Sequence, residues 1–500
     1  MNPMIFRTAI VAVMLGLAGC TNVGPDFQRP AAALPDRWSV SAVQTSNGRD
    51  PSSPDARWWK VFNDAELSSL VERVAATNLD VKTATTRWMQ ARAARRMTGA
   101  DAEPSVDASA SYQHARSSQN GLLDISGLDG KKDYNVWQPG LDASWEFDLW
   151  GRVRREIESA DATVEASADV RRGVLLSVLA ETAHDYLQLR GVQARQAIIR
   201  QNLDIAGHSF RLTQVRFADG VATHLETAEA SAEVSAIEAQ LPALENDQVR
   251  LVNALSYLLG EPPRALEDEL QAAAPIPPVP PAVPVGLPSE LAERRPDIRE
   301  AEARLHAATA DIGVAVGDFY PRITLSANLG LQAMHFGDLD AWSSRMFGVG
   351  PALSVPIFEG SRLKGQLALR KAQQQEAMIG FQRTVLGAWH EVDDAMSDYR
   401  TRQQRHEKLA ATVDQDRIAL ENANRQYVAG ATDFLQVLTV QRDLLAAQQA
   451  LVASSTDVSV SLVGLYKALG GGWETTFPVA VSVSVPTGLA ETPVAVGNGM

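Results

Sequence analysis

The sequence predicts a mainly α-helical chain with four β-strands, built from two copies of one unit. Three observations predict it: an internal repeat, two proline-free stretches of helical periodicity too long for a globular domain, and two pairs of short segments in which apolar and polar residues alternate.

Laid over itself at a shift of 210, the sequence pairs Arg152 with Arg362, Phe217 with Tyr427, Gly220 with Gly430, Leu225 with Leu435 and Gly260 with Gly470. Asp80 and Asp297, and Pro104 and Pro321, pair at a shift of 217, so the first copy carries seven extra residues, expected in the Gly/Asp-rich stretch Asn120 to Asp133. A period this long marks a duplicated structural unit, not a solenoid. The expected first repeat covers 66–270: a helix, strands near 104–116 and 134–149, a long helix 151–218 and a return helix 222–260. The second covers 289–473: a helix, strands near 321–334 and 345–358, a long helix 361–428 and a return helix 432–470. Between them, 271–288 holds Pro275, Pro277, Pro278, Pro280, Pro281, Pro284 and Pro288, an extended connector expected to strap the halves from outside. Residues 474–500 lack helical periodicity and are expected to trail as a tail.

The helices rest on spacing. No proline occurs from Gly140 to Leu241 or from Ile357 to Phe477, and apolar residues recur at steps of three and four, as in Val153, Ile157, Ala160 and Val164. A helix from Gly151 to Ala218 would be on the order of 100 Å long at about 1.5 Å per residue. Frequent alanine on the apolar stripe suits close helix approach in a coiled-coil wall. Pro242 is expected to kink the first return helix, because its counterpart Val452 sits mid-helix.

The strands rest on alternation. Val106, Ala108, Ala110 and Tyr112 alternate with Ser105, Asp107, Ser109 and Ser111; Trp137, Leu141, Ala143, Trp145 and Phe147 oppose Gln138, Asp142, Ser144, Glu146 and Asp148. In the second copy Ile323, Leu325, Ala327, Leu329 and Leu331 alternate with polar residues, and Phe347, Val349, Leu353, Val355 and Ile357 with small or polar ones. Such strands fit a sheet packed on a core or a membrane barrel with lipid outside and water inside.

The N-terminus bears on that choice. A short charged start, an apolar run from Thr8 to Ala18 and Gly19-Cys20 read as a secretory signal over 1–19. Leu17-Ala18-Gly19-Cys20 is similar to a bacterial lipobox, which implies that Cys20 becomes the acylated mature N-terminus and that 20–65 is an anchored extended segment. Cys20 is the only cysteine, so no intrachain disulfide can form. More than one acyl chain anchors stably, each buried methylene contributing about 0.8 kcal/mol. Lipoprotein sorting conventions reserve Asp after the cysteine for inner-membrane retention; Thr21 therefore favours the outer membrane. Tyr112, Tyr134, Trp137, Trp145, Trp342 and Phe347 also cluster in or beside the strands, as interface belts require. Both observations favour the barrel.

Four strands cannot close alone, and an unpaired edge in hydrocarbon costs several kcal/mol per unsatisfied group. Two chains would give a filled eight-stranded barrel, three a twelve-stranded one with a water-filled bore. Inner faces rich in Ser, Gln, Asn and Gly favour a homotrimer.

The remaining classes are excluded in turn. A net charge of -14 leaves no basic stripe for nucleic acid. The eight histidines are scattered, His390-Glu391-Val392-Asp393-Asp394 fails as a zinc motif, and neither a Gly-x-Ser-x-Gly elbow nor a phosphate loop occurs, so neither an enzyme nor a metal or cofactor site is expected.

Phe147-Asp148-Leu149-Trp150-Gly151-Arg152, Arg294-Arg295-Pro296-Asp297-Ile298, Phe319-Tyr320-Pro321-Arg322 and Pro356-Ile357-Phe358-Glu359-Gly360, with the lipobox and the duplication, carry a family resemblance. The chain resembles the TolC-like outer membrane factors, especially the OprM or NodT-type lipoproteins of resistance-nodulation-division efflux systems. The resemblance implies a trimer, a twelve-stranded barrel and a helical tunnel reaching a periplasmic adaptor and an inner-membrane pump. It implies that the turns Phe217-Ala218-Asp219-Gly220-Val221 and Tyr427-Val428-Ala429-Gly430-Ala431 form the periplasmic mouth and meet the adaptor. It also places the family's gate tyrosine at Tyr427 and its acidic partner at Glu226. The chain departs at Thr432, where the family carries an arginine latch, and at Gln436 and Thr439, where it carries aspartates. Asp433 and Asp443 lie nearby, either as constriction charges or as solvated helix surface. A mouth of this composition is expected to be less acidic than its relatives' and less easily blocked by polyvalent cations. Rival readings are a type I secretion duct, which shares the fold, and a non-conducting structural envelope lipoprotein, against which the four alternating strands argue. The cargo is not readable.

Overall fold

The computed structural model describes residues 22–31, 55–116, 133–280, 283, 285 and 290–478. Cys20, the signal residues and the tail from 479 lie outside the described residues.

Each repeat begins with a helix that runs into a strand hairpin. Asp64 caps α1 (Ala65–Thr77), accepting the Leu67 N–H at 2.9 Å. Asn78 caps α2 (Leu79–Ala100) through the Asp80 and Val81 amides and donates to the Leu258 carbonyl at 2.8 Å, so a buried polar residue both starts the helix and ties it to a distant one. Then come β1 (Ser105–Arg116), β2 (Asp133–Glu146), α3 (Arg152–Ala218), α4 (His224–Glu238) and α5 (Leu241–Leu259). The second repeat supplies α6 (Pro296–Gly317), β3 (Arg322–Leu331), β4 (Arg345–Ser354), α7 (Arg362–Val428) and α8 (Phe434–Leu469). Both α3 and α7 have 67 residues. The first return helix breaks at Ala239–Gln240, with Pro242 in the first turn of α5, whereas Val452 lies inside the unbroken α8. Proline is accommodated there because a first-turn amide needs no helical partner.

The four strands form one antiparallel sheet in the order β1-β2-β3-β4. Below it α2 packs on α3, α3 on α6, and α6 on α7. Each of these helices is continuous with one strand, so helix order repeats strand order and one wall passes from sheet to helices. β1 and β2 have 12 and 14 residues against 10 each in β3 and β4. The two hairpins share one register, Ser105 pairing with Ser144 as Arg322 pairs with Ser354, and the first runs on to the pair Arg116–Asp133; the stretch Asn120 to Asp133, expected to hold the extra residues, lies outside the described residues apart from Asp133.

The sequence motifs turn out to be joints. Gly151, at φ +81, turns β2 into α3, and a Cβ there would meet Asn22 Oδ1. Arg152 bridges back to Glu146 at 3.0 Å and on to Glu156 at 3.1 Å. Buried Arg155 binds Asp26, Glu158 and the Val23 carbonyl, while Val23 N–H donates to Trp150 O at 3.0 Å. The segment that follows Cys20 is thus fastened where strands become helices, and Phe27 continues it by stacking on His306 at 4.4 Å. At the other joint Arg295 donates to the Ala468 carbonyl at 2.6 Å and pairs with Asp297 and Glu391, clamping α6, α7 and α8.

The main core forms a belt midway along the long helices. Trp58, Trp59, Phe62 and α1 pack on Leu175–Leu189 of α3, Phe381–Tyr399 of α7 and Val458–Leu469 of α8. The proline-rich connector lies against this belt: its carbonyls at Ala272, Pro277 and Pro280 accept from Arg190, Ser459 and Tyr399. In the same belt Glu66 faces Glu269, which pairs with Arg73 at 2.6 Å. Burial first, then the Glu269 carboxylate, pushes Glu66 from its ordinary 4.5 up to about 7. Folding therefore takes up a proton between these values, and the stabilisation, present at low pH, is lost as pH rises toward 7. Glu66→Gln should raise the melting temperature at pH 8, leave it nearly unchanged at pH 4, and flatten the profile between. An unaltered profile would show that Glu66 does not titrate there.

Candidate functional site

Register decides what the sheet faces. Leu141 pairs with Leu329, Trp145 with Leu325, Ala327 with Val349, Leu329 with Phe347 and Ile323 with Leu353, so the apolar residues of all four strands share one face. Asp107 pairs with Asp142, Ser144 with Ser326 and Asn328 with Gly348 on the other. No described helix packs across the sheet, and Phe347 and Val349 are 83% and 76% exposed. A sheet of a soluble core would bury that face; this one presents it, which is the condition of a lipid-facing wall. Aromatics mark its two ends. Tyr112 lies 4.3 Å from Trp137, which meets Phe336 edge-on at 5.1 Å, while Trp145 meets Phe147 at 5.6 Å near the helices. Trp137 and Trp145 are eight residues apart on β2, about 27 Å along a strand and about 20 Å in height once tilted, close to the roughly 25 Å apolar band of a membrane barrel. No described helix is long and apolar enough to cross a membrane.

At the far end of the helices both turns reverse the chain in the same way. Gly220 and Gly430 have φ +75 and +71, and Val221 N–H donates to Arg216 O and Ala431 N–H to Gln426 O, both at 2.8 Å. Thr223 and Glu226 then form a reciprocal capping box at the start of α4, and Asp433 caps α8 by accepting the Gln436 amide at 3.0 Å. Asp433 is thus a helix cap. Asp443, Gln436 and Thr439 are exposed, Thr439 donating to Leu435 O; Thr432 is half-buried beside the turn. At the tips Phe217, Val221, Leu225, Val428 and Leu435 are exposed.

Tyr427 sits between the two hairpins, packed with Ala230, Ala423, Phe434, Val437 and Leu438. Its hydroxyl makes no hydrogen bond; Arg216 lies over its ring at 4.6 Å. Burial raises its pKa, with Arg216 opposing. Glu226 spends its carboxylate on the capping box instead of on Tyr427. The polar link between the hairpins lies two turns deeper, where buried Glu233 of α4 meets Arg442 of α8 at 2.5 Å, followed by Gln240 and Gln449 at 2.9 Å. Sequence reasoning missed this pair. The signal available was that Glu233 and Asp443 occupy equivalent places in the two repeats, next to an arginine in only one.

An exposed apolar sheet continuous with a wall of long paired helices defines a channel-forming outer-membrane protein whose wall changes from strand to helix. The chain belongs to the outer membrane efflux protein family, whose model matches residues 70–261 and 287–471, one span per repeat. It is 35% identical over 473 residues to the pyoverdine export outer membrane protein OpmQ of Pseudomonas aeruginosa, covering 92% of this chain and 95% of that one. It is 33% identical to the outer membrane protein OprJ of the same organism, over 95% of this chain and 97% of that one. Among solved structures, the outer-membrane channel OprN superposes with a TM-score of 0.84 at 34% identity, over 91% of this chain and all of the other. The chain is the outer-membrane channel of an efflux system and not an enzyme.

Proposed function

We propose that three copies close edge to edge into a twelve-stranded barrel and a continuous helical tunnel, the exit duct of a tripartite pump. The single observation that carries this reading is the exposed apolar face of a four-stranded sheet whose outer strands, β1 and β4, each have one edge without a strand partner among the described residues. In lipid those edges need partners, and copies of the same sheet supply them. Acylated Cys20 anchors the chain to outer-membrane lipid, consistent with residues 23–29 being fastened at the sheet–helix joint. A periplasmic adaptor meets the tips around Phe217, Gly220, Val221, Gly430 and Ala431, where apolar side chains are exposed. An inner-membrane pump of the resistance-nodulation-division type drives transport. Tyr427, Glu226, Thr432, Asp433, Gln436, Thr439 and Asp443 surround the gate. Relatives named for pyoverdine, toluene and cation export handle unlike cargoes, which supports a passive duct fed by others.

The test joins a subunit count to a conductance. Purified, acylated protein is crosslinked through single cysteines introduced at Ser109 of β1 and Gly350 of β4, and then studied in planar bilayers. Crosslinks that join β1 to β4 of another copy, a ladder ending at three and discrete channels are expected. A monomer without conductance would remove the duct.

A further inference from the structure

The lipid-facing side of the sheet ends outward in a cation. Arg345 opens β4 opposite Leu331, in phase with Phe347 and Val349, so its side chain belongs to the apolar face. The strand end at Arg345 is the one away from the helices, hence the outward rim. Its guanidinium lies 4.0 Å over the ring of Trp342, itself 81% exposed. Among the described residues Arg345 forms no ion pair with a carboxylate, whereas Arg116 pairs with Asp133 at 3.8 Å and His335 lies 3.4 Å from Asp338. The platform beneath Trp342 is tied down, because Ala333 and Trp137 exchange backbone hydrogen bonds and Ser344 donates to Asp338 O at 2.6 Å.

We propose that Arg345, stacked on Trp342, is a binding site for the phosphate of an outer-leaflet glycolipid. The inference rests on the reading of this face as membrane-facing. An arginine on a lipid-facing strand costs about 2–4 kcal/mol at mid-bilayer but only about 0–1 near the interface, so the rim position is tolerable. A guanidinium held flat against an indole keeps its N–H edge free for paired hydrogen bonds to phosphate oxygens. Phe347, next below on the same face, offers the acyl chains an aromatic contact. The apolar contact and the charge together match a phosphorylated lipid; a free anion would use only the charge.

Native mass spectrometry of the intact, acylated protein with bisphosphorylated lipid A, and with the same lipid dephosphorylated, tests this. Wild type should retain the phosphorylated lipid with roughly tenfold higher occupancy per chain than Arg345→Ala or the better-matched Arg345→Gln, and should not distinguish these variants with the dephosphorylated lipid. Equal occupancy in wild type and both variants would overturn the site. Displacement of the lipid by excess inorganic phosphate would assign it to small anions instead, and also overturn it. Occupancy is counted per chain and subunit number is read from the same spectrum, so failure of the trimer and failure of the lipid site are separate results.

Discussion

Val349→Arg should abolish assembly in the outer membrane, while Ser326→Arg, one strand away, should leave the assembled channel intact and change its ion selectivity. Val349 lies in the middle of β4 on the apolar face, opposite Ala327; Ser326 pairs with Gly350 on the polar face. A cation on a lipid-facing strand costs about 2–4 kcal/mol near the bilayer midplane. In a homotrimer that cost is incurred in every copy, about 6–12 kcal/mol in all, comparable with the ~5–15 kcal/mol by which a typical folded domain is stable. On the polar face the same side chain meets water and is expected to disfavour cation passage. Heat-resistant oligomer on gels and reversal potential in bilayers would read the two effects. Normal assembly of Val349→Arg would mean that this face does not meet lipid.

At the other end of the molecule, Tyr427→Ala should raise channel conductance and open probability, and Tyr427→Phe should change neither. The tyrosine is only 7% exposed, wedged between Phe434, Ala423 and Ala230, and its hydroxyl has no partner. If the ring holds the hairpins together, removing it costs about 3 kcal/mol, the lower end of the range for buried aromatics, because the site lies near exposed tips and can relax. Removing the oxygen alone costs nothing there. The clamp of Glu233 on Arg442 remains in both variants, so the mouth loosens without the protomer unfolding. A large effect from Tyr427→Phe would mean that the hydroxyl, and not the ring, holds the mouth.

Much of the wall was legible because its periods are local. A strand's side chains alternate with a period of two, so the residues that share Phe347's face follow from sequence without knowledge of any neighbour. The duplication was legible for a similar reason: Gly220 and Gly430 are each required by a positive φ, and a turn needed twice leaves its glycine twice. The mouth was less legible. Asp433, read either as a constriction charge or as solvated helix surface, and Glu226, placed at the gate by resemblance, are both part of helix caps, and their carboxylates are committed to nearby amides. Conversely Glu233 and Arg442 lie 209 residues apart and meet only because α4 and α8 pack together.

By itself the sequence determined membership of a duplicated, strand-and-helix family, the two faces of every strand and the places where the chain turns. These depend on short-range stereochemistry and on periodicity. Only the tertiary structure decided that no described helix covers the apolar face, that Arg155 and Arg295 are buried clamps, that Tyr427 is a wedge and that Arg345 stands in phase with that face at the strand end away from the helices. Register and packing bring together residues from distant parts of the chain, and a local pattern carries no record of which distant residue stands opposite.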